Sequence, residues 1–288
     1  MIYSTSKKLF ILITLFFMSA CGADNTTSDK WRTLDINNTV LLELPHGKVV
    51  IELAPQFAPH HVEQFSILVK KSFYDGTKFY RVIDGFVAQA GPKNGSDEDK
   101  SVTDLTIEGE FSTNKNWSFT QVQANDLFAR RTGFKDGFAL ASNNENTAWL
   151  THCPGTLAMA RGNEADSASS HFYFVIGQAP RFLDKIMTIF GRVVYGMEHI
   201  QVIKRTSVIE GEYAVDSRDH TPIIRLTLMK DVPIKDRIII EVENTESVAF
   251  AKRLNKRRNR ESEFFFQKPP PVLDVCQVPV YSRLIKAR

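Results

Sequence analysis

The first third of the chain alternates short apolar segments with one amphipathic segment. Residues 40–44 (VLLEL) and 49–53 (VVIEL) are rich in aliphatic and β-branched residues and are separated by a Pro-His-Gly turn, which predicts a β-hairpin. Residues 58–72 carry apolar side chains three or four positions apart, which predicts a helix. A second pair of strands is predicted at 79–83 and 87–90, because an Asp-Gly pair interrupts two β-prone runs. The predicted order is strand, strand, helix, strand, strand.

The length of the second turn decides which side chains share a face. With a two-residue Asp-Gly turn, Tyr80 pairs with Gln89, and Arg81 points to the opposite face from Gln89. With a three-residue loop that includes Phe86, Arg81 pairs directly with Gln89, and Gly85 can supply a positive φ. The hairpin taken alone favours neither a functional Arg–Gln pair nor a plain surface pair.

The N-terminus has the pattern of an export signal. Two lysines precede an apolar run that is too short to span a bilayer, and small residues precede Cys21. Residues 18–21 (MSAC) resemble the bacterial lipobox, which implies that residues 1–20 are a signal peptide and that Cys21 is acylated and anchors the protein to a membrane. The alternative is an ordinary secretory signal. Gly22 is typical of outer-membrane lipoproteins, so we expect a periplasmic protein anchored to the cell envelope, with the polar residues 21–37 as its tether.

Composition limits further which classes of protein the chain can belong to. The 288 residues carry a formal charge of only +3, and no apolar run reaches the length of a transmembrane helix. Besides the candidate lipid-bearing cysteine, the chain has Cys153 and Cys276, which we expect to be two separate buried thiols, although an exported location permits a disulfide. The histidines lack metal-ligand spacing, so no metal site is expected, and the adjacent His60 and His61 are interpreted as solvated.

Four segments resemble one protein family. Residues 73–91 (FYDGTKFYRVIDGFVAQAG) resemble the catalytic hairpin of the cyclophilins, the peptidyl-prolyl cis-trans isomerases. Residues 152–161 (HCPGTLAMAR), 169–176 (SSHFYFVI) and 181–193 (RFLDKIMTIFGRV) are similar to later cyclophilin motifs. The resemblance implies a mainly β fold over residues 38–231: a closed eight-stranded antiparallel barrel, capped by two α-helices, that binds prolyl peptides in a groove on its outer wall.

The resemblance also implies roles for the matched side chains. Arg81 would donate to the prolyl nitrogen of the substrate, and Gln89 would hold the guanidinium. The substrate would be bound by an apolar pocket and its surroundings, formed by Phe86, Val87, Met159, Ala160, Arg161, His171, Phe172, Phe182, Leu183 and Met187. No metal, cofactor or nucleophile is required.

Several positions depart from the family pattern. Tyr80 stands where a histidine is frequent, Arg161 replaces an asparagine, His171 a glutamine and Met187 a histidine, while Phe182 replaces the tryptophan important to cyclosporin binding in eukaryotic members. We expect an isomerase that accelerates X-Pro rotation during folding of exported proteins, because the arginine is retained. The alternative is a non-catalytic envelope lipoprotein, a chaperone or scaffold that binds proline-containing segments in the same groove.

Two segments lie outside the family pattern. Residues 92–151 are expected to be a long loop insertion that either borders the groove or decorates the surface. Residues 232–288 form a C-terminal extension with a strand-like run at 237–242 and a basic helix at about 245–266. We expect this helix to pack Phe250 and neighbouring apolar residues on the barrel, and the alternative is a lipid-facing or nucleic-acid-facing helix. The exported location argues against nucleic acid, and a monomer is expected.

Overall fold

The computed structural model describes residues 29–285, apart from 93–95, 145, 207, 210–211 and 214–219, so the predicted signal peptide and Cys21 lie outside the described residues. No helix of this described part is both long and apolar enough to cross a bilayer. Its helices are α1 Pro59–Lys70, α2 Asp97–Lys100, α3 Met197–Gln201 and α4 Val248–Asn259. Its strands are β1 Trp31–Thr33, β2 Thr39–Leu44, β3 Gly47–Leu53, β4 Lys78–Val82, β5 Val87–Gly91, β6 Phe111–Ser112, β7 Thr120–Ala124, β8 Arg131–Lys135, β9 Phe138–Ser142, β10 Thr147–Leu150, β11 Thr156–Met159, β12 Phe172–Val175, β13 Ile189–Tyr195, β14 Val208–Ile209, β15 Glu212–Tyr213, β16 Arg225–Leu228, β17 Ile239–Glu243 and β18 Ser282–Ile285.

Eight strands form one antiparallel sheet around an apolar core, in the order β16-β2-β3-β13-β11-β12-β5-β4. Backbone hydrogen bonds between residues 76–79 and 221–223 join the two edges of this sheet. Helix α1 inserts Phe65 into the core, where its ring lies 5.6 Å from Phe172 and 5.0 Å from Phe190. The short α3 packs against β3. The predicted mainly β fold, an eight-stranded antiparallel sheet with helical caps, is confirmed.

The β4–β5 hairpin adopts the register with the three-residue loop. Arg81 pairs with Gln89, and the register shifts between Phe79 and Arg81, so that Tyr80 is an extra residue at a β-bulge. Gly85 has a φ of +68°, which glycine adopts without steric strain. Two residues therefore oppose Gln89, and both Tyr80 and Arg81 bond to its side chain.

The insertion is a folded β-sheet, and the prediction of a long loop is wrong. Its strands lie in the order β6-β10-β9-β8-β7. Phe138, Leu140 and Leu150 pack on the outer face of the main sheet, in one cluster with Val87 and Tyr173. In the sequence, the apolar strands are short and lie between charged and asparagine-rich segments, which obscured them. The insertion is therefore a second layer over part of the barrel wall.

Glu108 links the insertion to the N-terminus of α1. Its carboxylate accepts hydrogen bonds from the backbone N–H groups of His60 at 3.2 Å and His61 at 3.0 Å, and it lies 2.6 Å from Nδ1 of the His61 ring. The His61 ring is fully buried, so the prediction that it is solvated is wrong. Burial opposes ionisation of the carboxyl group, but the hydrogen bonds from the two histidines outweigh burial and hold the pKa of Glu108 below its usual value.

Replacing Glu108 by glutamine is expected to lower the melting temperature near neutral pH and to matter much less near pH 3. The folded-state pKa of Glu108 is lower than its unfolded-state value. The carboxylate therefore stabilises the fold fully above the unfolded pKa of about 4.3, and this contribution is lost as the pH falls through the lower folded value. Thermal unfolding of wild type and Glu108→Gln across this pH range measures the difference. An equal loss of melting temperature at both pH values would mean that the charge of Glu108 contributes nothing to stability.

The helix of the C-terminal extension packs on the insertion rather than on the barrel as predicted, whereas strand β17 of the extension packs Ile240 and Val242 against barrel residues Leu41, Val50 and Val194. Helix α4 buries Phe250 and Leu254 in a cluster with Val122 of β7 and apolar residues of β8. The helix ends at Asn259, earlier than predicted, because Arg260 adopts a left-handed conformation with φ of 50°. Strand β17 pairs with β1 on one side and β18 on the other. The extension thus completes a third small sheet.

The three arginines of α4, at positions 253, 257 and 258, are hydrogen-bonded within the protein. The Arg253 guanidinium pairs with the Glu243 carboxylate at 2.6 Å, and Nη2 of Arg258 donates to the Val122 carbonyl at 2.7 Å.

Cys153 and Cys276 form a disulfide between the segment before β11 and the extension. The prediction of two separate thiols is wrong. The cysteines are 123 positions apart, and only the packing of the extension against the insertion brings them together. No local sequence pattern indicates such a pairing.

Candidate active site

Neighbouring strands bring a row of side chains together on the outer face of the main sheet. Arg81 on β4 pairs with Gln89 on β5. Tyr173 on β12 lies between Gln89 and Ala158 of β11. Paired residues of an antiparallel sheet share a face, so the four side chains form a continuous row. Nη1 of Arg81 donates to Oε1 of Gln89 at 3.1 Å, and both side chains are half-buried. The Gln89 amide thus holds the Arg81 guanidinium, a cation, at the protein surface.

An apolar floor lies beside this row. Val87 and Tyr173 are almost fully buried, and Phe86, Ala160 and Met187 pack against them while keeping part of their surface exposed. All of these residues except Tyr173 were predicted to contact a substrate. The floor offers apolar surface to a small ring next to the guanidinium.

The turn before β13 forms one border of this floor. The Phe182 ring stacks on Phe86, with centroids 6.3 Å apart and an angle of 20° between the ring planes, and Phe182 remains 66% exposed. Leu183 follows in the same turn and is half-buried. Nε of Arg161 donates to the Ile186 carbonyl at 2.9 Å, so the Arg161 side chain holds the turn. The predicted residues Phe182, Leu183 and Arg161 therefore lie together.

Phe172 and Met159 do not line the outer face, contrary to prediction. They pair across β11 and β12, are 1% and 0% exposed, and belong to the barrel core. Side chains alternate along a strand, so the aromatic ring on the outer face is Tyr173. The prediction from the family resemblance is wrong by one position within three consecutive aromatic residues, 172–174. The pairing of Tyr173 with Gln89 identifies Tyr173 as the outward-facing ring, but this pairing can be recognised only when the strand register is known.

A buried polar network supports Tyr173 from below. The fully buried His152 contacts the Tyr173 hydroxyl through Nε2 at 2.9 Å and Oδ1 of Asp184 through Nδ1 at 2.9 Å. Nε of Arg181 donates to the other oxygen of Asp184 at 2.5 Å. Burial, and after it the Asp184 charge, raises the pKa of Tyr173 well above the usual range, so the phenol stays neutral. No local sequence pattern indicates this network, which fixes the ring of the floor.

On the other side of Gln89 the site continues into a polar groove of about 510 Å³. Its lining includes the predicted residue His171 and residues of the insertion, so the interpretation that the insertion borders the groove is supported. The residues that line it include Tyr80, Gln89, Asp99, Ala160, Arg161 and His171.

Comparison with known proteins agrees with this geometry. The family model for the cyclophilin type peptidyl-prolyl cis-trans isomerase/CLD matches residues 39–243. A Brucella suis biovar 1 protein named "Probable peptidyl-prolyl cis-trans isomerase" is 34% identical over 216 residues, which cover 75% of this chain and 93% of the relative. A peptidyl-prolyl cis-trans isomerase of Acinetobacter baylyi is 28% identical over 72% of this chain and 85% of its own length.

A crystal structure of a cyclophilin from Hirschia baltica superposes with a TM-score of 0.70 and 26% sequence identity, and the match covers 90% of this chain and 95% of the other. Residues 38–231 make up about two thirds of the chain, so the match extends beyond the predicted barrel domain. The fold and the site define a cyclophilin. The chain belongs to the cyclophilin-type peptidyl-prolyl cis-trans isomerase family, and it is an isomerase with bacterial relatives.

Proposed function

We propose that this isomerase rotates X-Pro bonds of exported proteins at the cell envelope, with Arg81 as the group that stabilises the twisted amide. Gln89 holds the guanidinium in place. The observation that carries the proposal is the Arg81–Gln89 hydrogen bond of 3.1 Å, located beside an apolar floor on the outer face of the sheet.

The chemistry needs little more than this arrangement. Rotation about an X-Pro bond faces a barrier near 20 kcal/mol because amide resonance gives the C–N bond double-bond character. In the twisted transition state the nitrogen loses this conjugation and becomes a better hydrogen-bond acceptor. A guanidinium that donates to it stabilises the transition state more than the planar ground state.

The floor and the surrounding groups place the substrate. A proline ring on Phe86, Val87, Tyr173 and Met187 directs its nitrogen towards the Arg81 guanidinium, because the floor adjoins the row of side chains that contains Arg81. Backbone groups near Arg161 and the polar groove then accommodate the extended peptide, a contact that requires no particular side chain.

A protease-coupled assay on a short X-Pro peptide tests the activity. The uncatalysed cis-to-trans phase takes tens to hundreds of seconds, and micromolar enzyme is expected to shorten it in proportion to its concentration. A slow phase that does not depend on enzyme concentration would contradict the proposal. Heat-denatured protein controls for effects of added protein.

The location is the second part of the proposal. Residues 1–20 have the pattern of a signal peptide, and Cys21 is the candidate lipid-bearing residue, with Gly22 favouring the outer membrane. The Cys153–Cys276 disulfide supports an extracytoplasmic location, because disulfides persist in oxidising compartments and are rare in the cytosol. Exported proteins with X-Pro bonds are then the substrates within reach.

Cys21→Ser is expected to move the protein from the membrane fraction to the soluble periplasmic fraction, because it removes the acceptor of the acyl chains. Fractionation of cells that express either form, followed by immunoblotting, measures this. A high-salt wash is the control for attraction between the basic extension and anionic lipid, since salt screens that attraction. If Cys21→Ser still pelleted with membranes after the wash, the lipid anchor would be rejected.

A further inference from the structure

A continuous series of hydrogen bonds runs from the guanidinium of Arg81 to the insertion. Beyond Oε1 of Gln89, Nε2 of the same amide donates to the Tyr80 hydroxyl at 2.6 Å. The Tyr80 oxygen lies 2.8 Å from Nδ1 of His171, and Nε2 of His171 lies 2.9 Å from Oδ1 of Asp99. Asp99 belongs to α2, which is part of the insertion.

The chemistry of these groups gives the series one direction. An ionised carboxylate only accepts hydrogen bonds, so the Asp99 oxygen places a hydrogen on Nε2 of His171. If the imidazole carries this single hydrogen, Nδ1 is an acceptor and takes the hydrogen of the Tyr80 hydroxyl. The Tyr80 oxygen is left to accept from Nε2 of Gln89, and Oε1 of Gln89 must face Arg81. Each donor in the series meets one acceptor.

The protonation of Tyr80 agrees with this assignment. Burial raises the pKa of Tyr80 to about 12, although the hydrogen bond from Gln89 and the charge of Arg81 act in the opposite direction. The hydroxyl therefore keeps its hydrogen at neutral pH and can donate it to His171. Without that donation, the Gln89 amide could turn and present its NH₂ group to the guanidinium, which has no acceptor.

The backbone holds both rings in place. The β-bulge at Tyr80 is what allows Tyr80 and Arg81 to reach the same glutamine. The His171 ring packs against the backbone of Gly91, where an added Cβ would lie 2.5 Å from Nδ1. The side chains of His171 and Asp99 are only 14% and 15% exposed. The series is thus held at both ends by packed structure.

We propose that Tyr80, His171 and Asp99 are positioning residues that set the orientation of the Gln89 amide and, through it, the Arg81 guanidinium. The inference rests on the proposed role of Arg81. It gives the insertion a function: Asp99 of α2 contributes to turnover without touching the reacting bond.

The first test compares kcat and KM for variants along the series. Tyr80→Phe removes only the hydroxyl and is expected to lower kcat roughly 5- to 10-fold, as for the loss of one hydrogen bond, with a much smaller change in KM. Asp99→Ala is expected to lower kcat by a similar factor. Ser101→Ala, at the end of α2, is the matched control, because its hydroxyl bonds the Glu98 carbonyl and lies outside the series. Equal kcat for Tyr80→Phe, Asp99→Ala and wild type would overturn the inference.

The second test uses a conservative replacement. The amide of a glutamine at position 171 can accept from Tyr80 and donate to Asp99 over nearly the span of the imidazole ring, whereas leucine can do neither. His171→Gln is therefore expected to recover most of the kcat that His171→Leu loses, at equal melting temperatures. Equally low kcat in both variants would overturn the inference, because kcat would then not depend on the hydrogen bonds made by residue 171.

A double-mutant cycle separates this inference from the proposed function. If Tyr80 acts through Gln89, Tyr80→Phe is expected to have no further effect on kcat in a Gln89→Ala background. The same 5- to 10-fold loss in both backgrounds would overturn the positioning role. The role of Arg81 itself is tested separately by Arg81→Ala: if that variant were fully active, the proposed function would fail regardless of the cycle.

Discussion

Arg81→Ala is expected to lower kcat/KM for X-Pro isomerisation by about 100-fold or more, the size of effect seen when one electrostatic donor to a transition state is removed. The side chain is half-buried on the outer face and bonds Gln89 rather than the barrel core, so the melting temperature is expected to change little. Protease-coupled kinetics and thermal unfolding measure the two effects.

Arg225→Ala is the matched control, because Arg225 is an exposed arginine on the same sheet. It lies on β16, the other edge strand of the sheet besides β4. Arg81→Lys adds information, since lysine keeps the charge but loses the fork of donors that can bond Gln89 and substrate together. An unchanged kcat/KM in Arg81→Ala would remove the basis of the assigned mechanism.

Removing the disulfide is expected to cause the largest loss of stability. The bridge joins residues 123 positions apart, and disulfides that close long loops contribute about 2–5 kcal/mol, chiefly by constraining the unfolded chain. For a chain of this size, a Cys153→Ser and Cys276→Ser double variant is expected to melt roughly 5–15 °C below wild type.

A reducing agent provides the control for this prediction. Reductant is expected to lower the melting temperature of wild type towards that of the double variant and to leave the double variant unchanged. A wild-type protein that melts at the same temperature with and without reductant, and at the same temperature as the double variant, would contradict it. Isomerase kinetics on the same samples show whether the bridge also affects the neighbouring His152, which contacts Tyr173 of the floor.

Local patterns were enough to predict the first half of the barrel. The hairpin at residues 39–53 and the helix α1 follow from apolar periodicity and turn residues, which act between near neighbours in the chain. The Arg81–Gln89 pair also depends on a short loop. A two-residue and a three-residue loop both satisfy the local preferences, so the local pattern does not decide the strand register. The resemblance to the family motif favours the three-residue loop, which the structure adopts.

Contacts between distant segments explain the errors. The choice of Phe172 instead of Tyr173 is a slip of one position, and along a strand such a slip exchanges the core face for the outer face. His61 was expected in solvent, but Glu108 of the insertion covers it. In both cases the deciding partner lies far away in the sequence.

The sequence by itself determined the family, the order of the barrel elements and the arginine and glutamine of the site, since these depend on residues close together in the chain. Only the tertiary structure decided that residues 92–151 fold into a sheet on the barrel wall, that Cys153 meets Cys276, and that Asp99 reaches the Arg81 network through His171 and Tyr80. The physical reason is that each of these contacts joins separate elements whose relative placement is set by packing of the whole apolar interior, which no local pattern encodes.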